Sequence, residues 1–91
     1  MAADYFSEFG DISERKNKKY KVFVDGDWIH FGDTRYEHFS NDKIPPQLRI
    51  YKTHGDPERR QNYLTRAYGI KNGKSKNDPK SANYWSIHIL W

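Results

Sequence analysis

The stretch "KYKVFV-DG-DWIHF", residues 19–31, constrains the fold more than any other part of the chain. Asp25-Gly26 stands between two runs that alternate apolar and polar residues, the signature of a hairpin closed by a two-residue type I′ turn. That turn fixes the register: Val24 faces Asp27, Phe23 faces Trp28, Val22 faces Ile29, Lys21 faces His30 and Tyr20 faces Phe31. Because strand side chains alternate between faces, Tyr20, Val22, Val24, Ile29 and Phe31 form a core face. Lys19, Lys21, Phe23, Trp28 and His30 form the other. Cations interleaved with large rings suit either base stacking and phosphate neutralisation or packing against protein. Cross-strand aromatic pairs commonly serve structure, which favours protein.

A second element is nearly as well marked. Asp56 is placed to cap a helix, Pro57 suits the first helical position, and Glu58 adds negative charge at the positive end of the dipole. Gly69 is expected to supply a left-handed stop, so the helix spans 57–68. Helical spacing puts Tyr63, Leu64, Ala67 and Tyr68 on one face and Arg59, Asn62 and Arg66 opposite. Arg60 falls within the apolar stripe, so its guanidinium must snorkel past the edge or meet a carboxylate. A structural clamp to Asp33 or Glu37 is the expectation.

Around these two elements lie less regular segments. Residues 1–16 read as an acidic arm: positions 1–14 hold four acids and no base, with Tyr5, Phe6, Phe9 and Ile12 as apolar teeth. Such a segment is expected to order only by packing on something else. Residues 17–91 then form a single small α+β domain. Pro45-Pro46 interrupts the connector after the hairpin, and "LRIYK" (48–52) is a possible third strand. The tail "SANYWSIHILW" alternates like a strand, yet Ser81 is a fair N-cap, and a short helix over 82–91 is slightly preferred.

The chain has 91 residues, enough for one small domain that buries roughly 60–65% of its unfolded surface. Hydrophobic residues are 35% of it and aromatics alone 16%, so the core is built from a few large rings and a partner is expected to add stability. There is no cysteine, which excludes disulfides and thiolate metal sites and agrees with life inside a cell. No apolar run approaches the ~20 residues of a membrane span, and the acidic start is unlike a signal peptide. The net charge of +4 is distributed in blocks, with residues 15–21 and 43–91 basic and residues 1–14 and 22–42 acidic. Blocks of this kind suit an electrostatic partner.

Catalytic signatures are missing: there is no GxxxxGK phosphate loop, no HExxH and no nucleophile elbow. The nearest cluster is His54 with Asp56, Asp33 and His38; such side chains can hold a divalent metal or share a proton, but only where the fold gathers them, and these lack ligand spacing. The expectation is therefore no enzyme, no catalytic or metal residues, no cofactor and no small-molecule substrate.

Three motifs in order, "IHFGDTRYEHF", "LRIYKTHGDPERRQNYLTRAYGIK" and "DPKSANYWSIHILW", resemble a family of short uncharacterised proteins encoded by large double-stranded DNA viruses. The likeness covers residues 29–91 and rests on an HFGD-x-RY strand end, an H-x-D-x-x-RR-x-x-Y helix and a closing W-S-x-x-x-LW. The chain departs from that pattern with Ala67-Tyr68, where the family often shows Arg-His, and with its acidic arm. The family has no established activity, so the resemblance implies a viral origin, in the virion or the host cell interior, and no mechanism.

Two functions follow. In the favoured one, the chain is a minor capsid or assembly component that binds other virion proteins through Phe23, Trp28, Trp85 and Trp91, with Arg60 and Asp56 structural. In the alternative it is a basic nucleic-acid-binding accessory protein whose footprint is Lys16, Lys18, Lys19, Lys21, Arg59, Arg66, Lys71, Lys74 and Lys76.

Overall fold

Asp25 (φ 47°) and Gly26 (φ 86°) both take left-handed backbone angles, as a type I′ turn requires. In the computed structural model, which describes residues 2–69 and 77–91, the elements run α1 (Ala2–Phe9), β1 (Gly10–Ile12), β2 (Tyr20–Val24), β3 (Asp27–Phe31), a 3₁₀ turn (Pro46–Leu48), α2 (Pro57–Gly69), α3 (Ala82–Trp85) and a π-helical turn (Ser86–Leu90). The architecture is α+β, an antiparallel sheet of order β1-β2-β3 with helices. The β2–β3 register is the one that the turn dictates, Phe23 opposite Trp28 and Tyr20 opposite Phe31.

The third strand comes from the segment expected to be a free arm. Residues 10–12 pair with β2, Gly10 opposite Val22 and Ile12 opposite Tyr20. Ala2, Tyr5, Phe6 and Phe9 recur at helical spacing, so α1 can present an apolar stripe while Asp4 and Glu8 stay exposed. Phe6 is 0% exposed and meets the rings of Tyr20 and Phe31 edge-on at 5.7 and 5.6 Å. The boundary at residue 16 therefore gives way to one unit that includes α1 and β1. Gly10 makes the helix-to-strand corner possible, since a Cβ there would overlap the Phe6 ring.

With β1 and β3 on its two sides, β2 has no edge left for residues 48–52, and these do not form a strand. Pro46 opens a 3₁₀ turn instead, closed by Leu48 N–H to the Pro45 carbonyl (2.8 Å) and Arg49 N–H to the Pro46 carbonyl (3.3 Å). The Tyr20 hydroxyl donates to the Leu48 carbonyl at 2.7 Å and ties this turn to the sheet.

Asp56 caps α2 as expected, its Oδ1 accepting from the N–H of Glu58 (2.9 Å) and Arg59 (3.4 Å). Gly69 is the last residue of the helix and does not take a left-handed angle, so the expected stop is not at that position. The tail is helical. Ser81 accepts from Asn83 N–H, and Trp91 N–H reaches the Ser86 carbonyl five residues back. The wider π turn buries Ile87, Ile89 and Leu90 in different directions. Trp85, Ile89 and Leu90 join Phe6, Tyr20, Phe31 and Ile44 in the main core, while Ile87 packs with Leu64 and Ala67 under α2.

Arg60 forms no clamp with Asp33 or Glu37. Arg35 engages Asp33 through two hydrogen bonds of 3.0 and 2.8 Å, and Glu37 lies 3.9 Å from Arg59. Arg60 snorkels to the edge, where Nε donates to the main-chain oxygen of Trp91 (2.7 Å) and the guanidinium lies 5.4 Å from the centre of the Phe39 ring. An exposed contact of this kind is worth about 1–2 kcal/mol, whereas emptying the Phe6 site costs about 3–5 kcal/mol. Urea melts are expected to rank Phe6→Ala well below Arg60→Ala in stability. Native-state hydrogen exchange should show β1 amides protected in the isolated chain.

Candidate functional site

On the outer side of the hairpin the pleat points Lys21, Phe23 and Trp28 away from the core. Phe23 and Trp28 are directly opposed, their ring centres 5.1 Å apart at 62°, and remain 39% and 47% exposed. Lys21 lies over the Trp28 ring at 4.5 Å and is ion-paired to Glu14 at 2.9 Å. That pairing holds the Glu14 carboxyl below its usual range, chiefly through the Lys21 hydrogen bond. The Tyr5 hydroxyl donates to the Phe23 carbonyl at 2.6 Å, so α1 steadies the strand beneath the ring.

The other two residues expected on this face have turned inward. His30 is buried with its Nδ1 2.7 Å from Ser13 Oγ, because residues 13–19 fold back over that end of the sheet. Burial lowers the His30 pKa, and Arg15 adds to the effect. Lys19 is only 2% exposed. The chain reverses at Gly32 (φ 81°), where a Cβ would press on both Lys19 Cβ and Leu90 at 3.0 Å, and this close approach closes over the lysine stem.

The Lys19 amine ends in a polar chain. Nζ lies 2.8 Å from His38 Nδ1, His38 Nε2 lies 2.7 Å from Asn41 Oδ1, and Asn41 Nδ2 donates to the Tyr51 carbonyl at 3.1 Å. A lysine can only donate, so Nδ1 accepts and the proton of a neutral His38 sits on Nε2, facing Asn41. Burial lowers Lys19 to about 8, against the pull of Asp33 and Glu37. Burial likewise lowers His38 to about 4, with Lys19 and His54 contributing.

A cleft of about 850 Å³ lies beside this chain, between α2 and the start of the connector. Arg59, Asn62, Tyr63 and Arg66, spaced along α2, line one wall, with Lys18, Asp33 and Glu37 also lining it and Lys19 and His38 at its floor. Arg59 and Arg66 thus lie together, whereas Lys19 belongs to the interior and Lys21 to the opposite face. Lys16 is exposed on the turn before β2. Lys71, Lys74 and Lys76 lie outside the described residues.

The tryptophans divide differently from expectation. Trp85 is a core residue, its indole N–H bound to the Pro79 carbonyl at 2.6 Å, and is no contact surface. Trp91 is half-buried and stacked on Tyr63 at 4.1 Å and 10°. Both were engaged by the helical tail, leaving Phe23 and Trp28 as the exposed pair.

His54, Asp56, Asp33 and His38 do not converge. Asp33 is held by Arg35, Asp56 caps α2 and His38 belongs to the buried chain. His54 Nδ1 accepts from Asp56 N–H (2.9 Å), while its buried Nε2 has no hydrogen-bond partner among the described residues. No group of acids and histidines suited to a metal occurs among the described residues.

Residues 11–45 match the model of a family of unknown function, DUF5754. The matched segment holds both the Phe23–Trp28 pair and the Lys19–His38 pair, and ends before α2. No curated protein and no solved structure gives a significant match.

The buried lysine and histidine imprint stability on pH. Between about pH 4 and 6.5 the unfolded chain protonates His38 and the folded one does not, so stability rises with pH. Between about pH 8 and 10.4 the same holds for Lys19, for a gain of at most about 3 kcal/mol. Above about pH 10 Tyr20 acts the other way, since burial raises its phenol to about 12 and the folded state then holds the extra proton. Urea midpoints measured from pH 7 to 10 should climb in the native chain and stay flat in Lys19→Met.

Proposed function

We propose that the chain is a non-enzymatic viral structural component, a minor capsid or assembly protein working in the virion or the host cell interior. Its contact surface to other virion proteins is the outer face of the hairpin. The observation that supports this is the exposed Phe23–Trp28 pair. Strand pairing below and the Tyr5 hydrogen bond to Phe23 fix these rings before any partner arrives. Prefixed aromatics lose little freedom on binding and concentrate interface energy.

The same geometry weakens the nucleic-acid reading of this face. Of the two lysines expected to flank the rings, Lys19 is interior and Lys21 is engaged by Glu14 and Trp28. The rings meet edge-on rather than forming a flat stacking platform. Phosphate neutralisation would have to come from elsewhere on the surface.

Trp28→Ala is expected to lower stability by no more than about 1 kcal/mol while costing about 2 kcal/mol or more in partner binding. The readout is loss of the variant from assembled particles when its urea midpoint is nearly unchanged. Tight, sequence-tolerant DNA or RNA binding by the monomer would overturn this reading. Its affinity would fall by roughly 0.7–0.9 log units per phosphate contact for each tenfold rise in salt.

A further inference from the structure

We propose that the cleft between α2 and the connector is a binding site for a small phosphate-bearing ligand, held by Arg59, Arg66 and Lys18 over the buried amine of Lys19. The site lies apart from the aromatic face and does not depend on its function.

The argument begins with Lys19. An ammonium withdrawn from water needs an anion or a full set of acceptors. Lys19 is 2% exposed, yet Nζ makes no ion pair among the described residues and meets only His38 Nδ1 at 2.8 Å and the Tyr51 ring at 5.6 Å. Both partners are neutral, and the carboxylates of Asp33 and Glu37 pull on the amine only through space, so no anion touches Nζ among the described residues, beside a cleft of about 850 Å³, a volume in the range of small-ligand sites.

The wall above that floor adds the right chemistry. Arg59 and Arg66 are seven residues apart on α2 and both line the cleft, as does Lys18. Arg66 and Lys18 form no ion pair among the described residues, and the Arg59–Glu37 pair is long at 3.9 Å. Asp33, the other carboxylate on the lining, is occupied by Arg35. Two guanidinium forks with two amines exceed what one carboxylate would use, but match the several oxygens of a phosphate or diphosphate. A ligand phosphate would compete with Glu37 for Arg59 and bring Lys19 the direct anionic contact that it lacks among the described residues.

The test is a backbone-amide NMR titration of the full chain with inorganic pyrophosphate and, separately, adenosine triphosphate, each against sodium chloride at equal ionic strength. Shifts are expected at Gly32, Arg59, Arg66 and Ala67 that sodium chloride does not reproduce. Inorganic tripolyphosphate is titrated alongside as the match for the triphosphate chain: affinity equal to that of adenosine triphosphate would mean that the phosphates alone are read, and tighter binding of adenosine triphosphate would identify a nucleotide. Arg59→Ala and Arg66→Ala, both at exposed positions, should each weaken binding about fivefold or more. Lys21→Ala, outside the cleft, should leave it unchanged. The proposal is overturned by no response at about 5 mM ligand, by shifts that salt reproduces, or by equal losses in Lys21→Ala and Arg66→Ala. An oligonucleotide that binds through Arg66 when pyrophosphate does not would also overturn it.

Discussion

Tyr20 is the contact on which the other parts of the molecule depend. Its ring is fully buried between Phe6 of α1, Phe31 of β3 and Tyr51 of the connector. A phenol placed so deep must find an acceptor, and the Leu48 carbonyl provides it at 2.7 Å. One residue at the start of β2 thereby joins three segments that share no regular hydrogen bonding with one another. The sheet alone would be a three-stranded ribbon of marginal stability. It becomes a core because α1 and the α3 helix cover the face that Tyr20 occupies, with Trp85 6.3 Å from Phe31.

Local chemistry was legible in the sequence, and long-range partnership was not. Asp25-Gly26 specifies its own turn and register, and Asp56-Pro57 specifies its own helix start, since each depends on residues a few positions away. The third strand is different. "LRIYK" has strand-like composition, whereas Gly10–Ile12 has little of it, and pairing follows position: Gly10–Ile12 continue directly from α1, which packs on the core beside β2. Pro46 commits its neighbours to a turn. The acidity of residues 1–14 also concealed an apolar stripe at helical spacing, the signal that would have placed α1 on the core.

The candidate sites show the same division. Alternation correctly put Phe23 and Trp28 outside, but it also put Lys19 and His30 there, and both are interior. A two-fold pattern describes a sheet face only where solvent reaches it. Residues 13–19 and the reversal at Gly32 close over one end, and the pattern fails at that end alone. Nothing near Lys19 in the chain marks His38, nineteen residues on, as its partner. Likewise, Arg60 found a main-chain oxygen of the tail rather than a carboxylate, a choice that depends on where Trp91 comes to rest.

The packing of α1 against the tail bears on how the molecule is made. The Tyr5 ring packs tilted against Trp85 with centres 5.6 Å apart, about eighty residues away along the chain. Closing so long a loop must be accomplished before the contact returns any energy. On a ribosome, α1 and the hairpin can pack together while later residues are still being added, but the part of the core face that Trp85, Ile89 and Leu90 cover stays open until those residues have emerged. Through that interval the side of Phe31 that meets Trp85 in the finished core stays wet. The core is thus completed by a contact between segments far apart along the chain, and a nascent chain carries exposed apolar surface until both have been made.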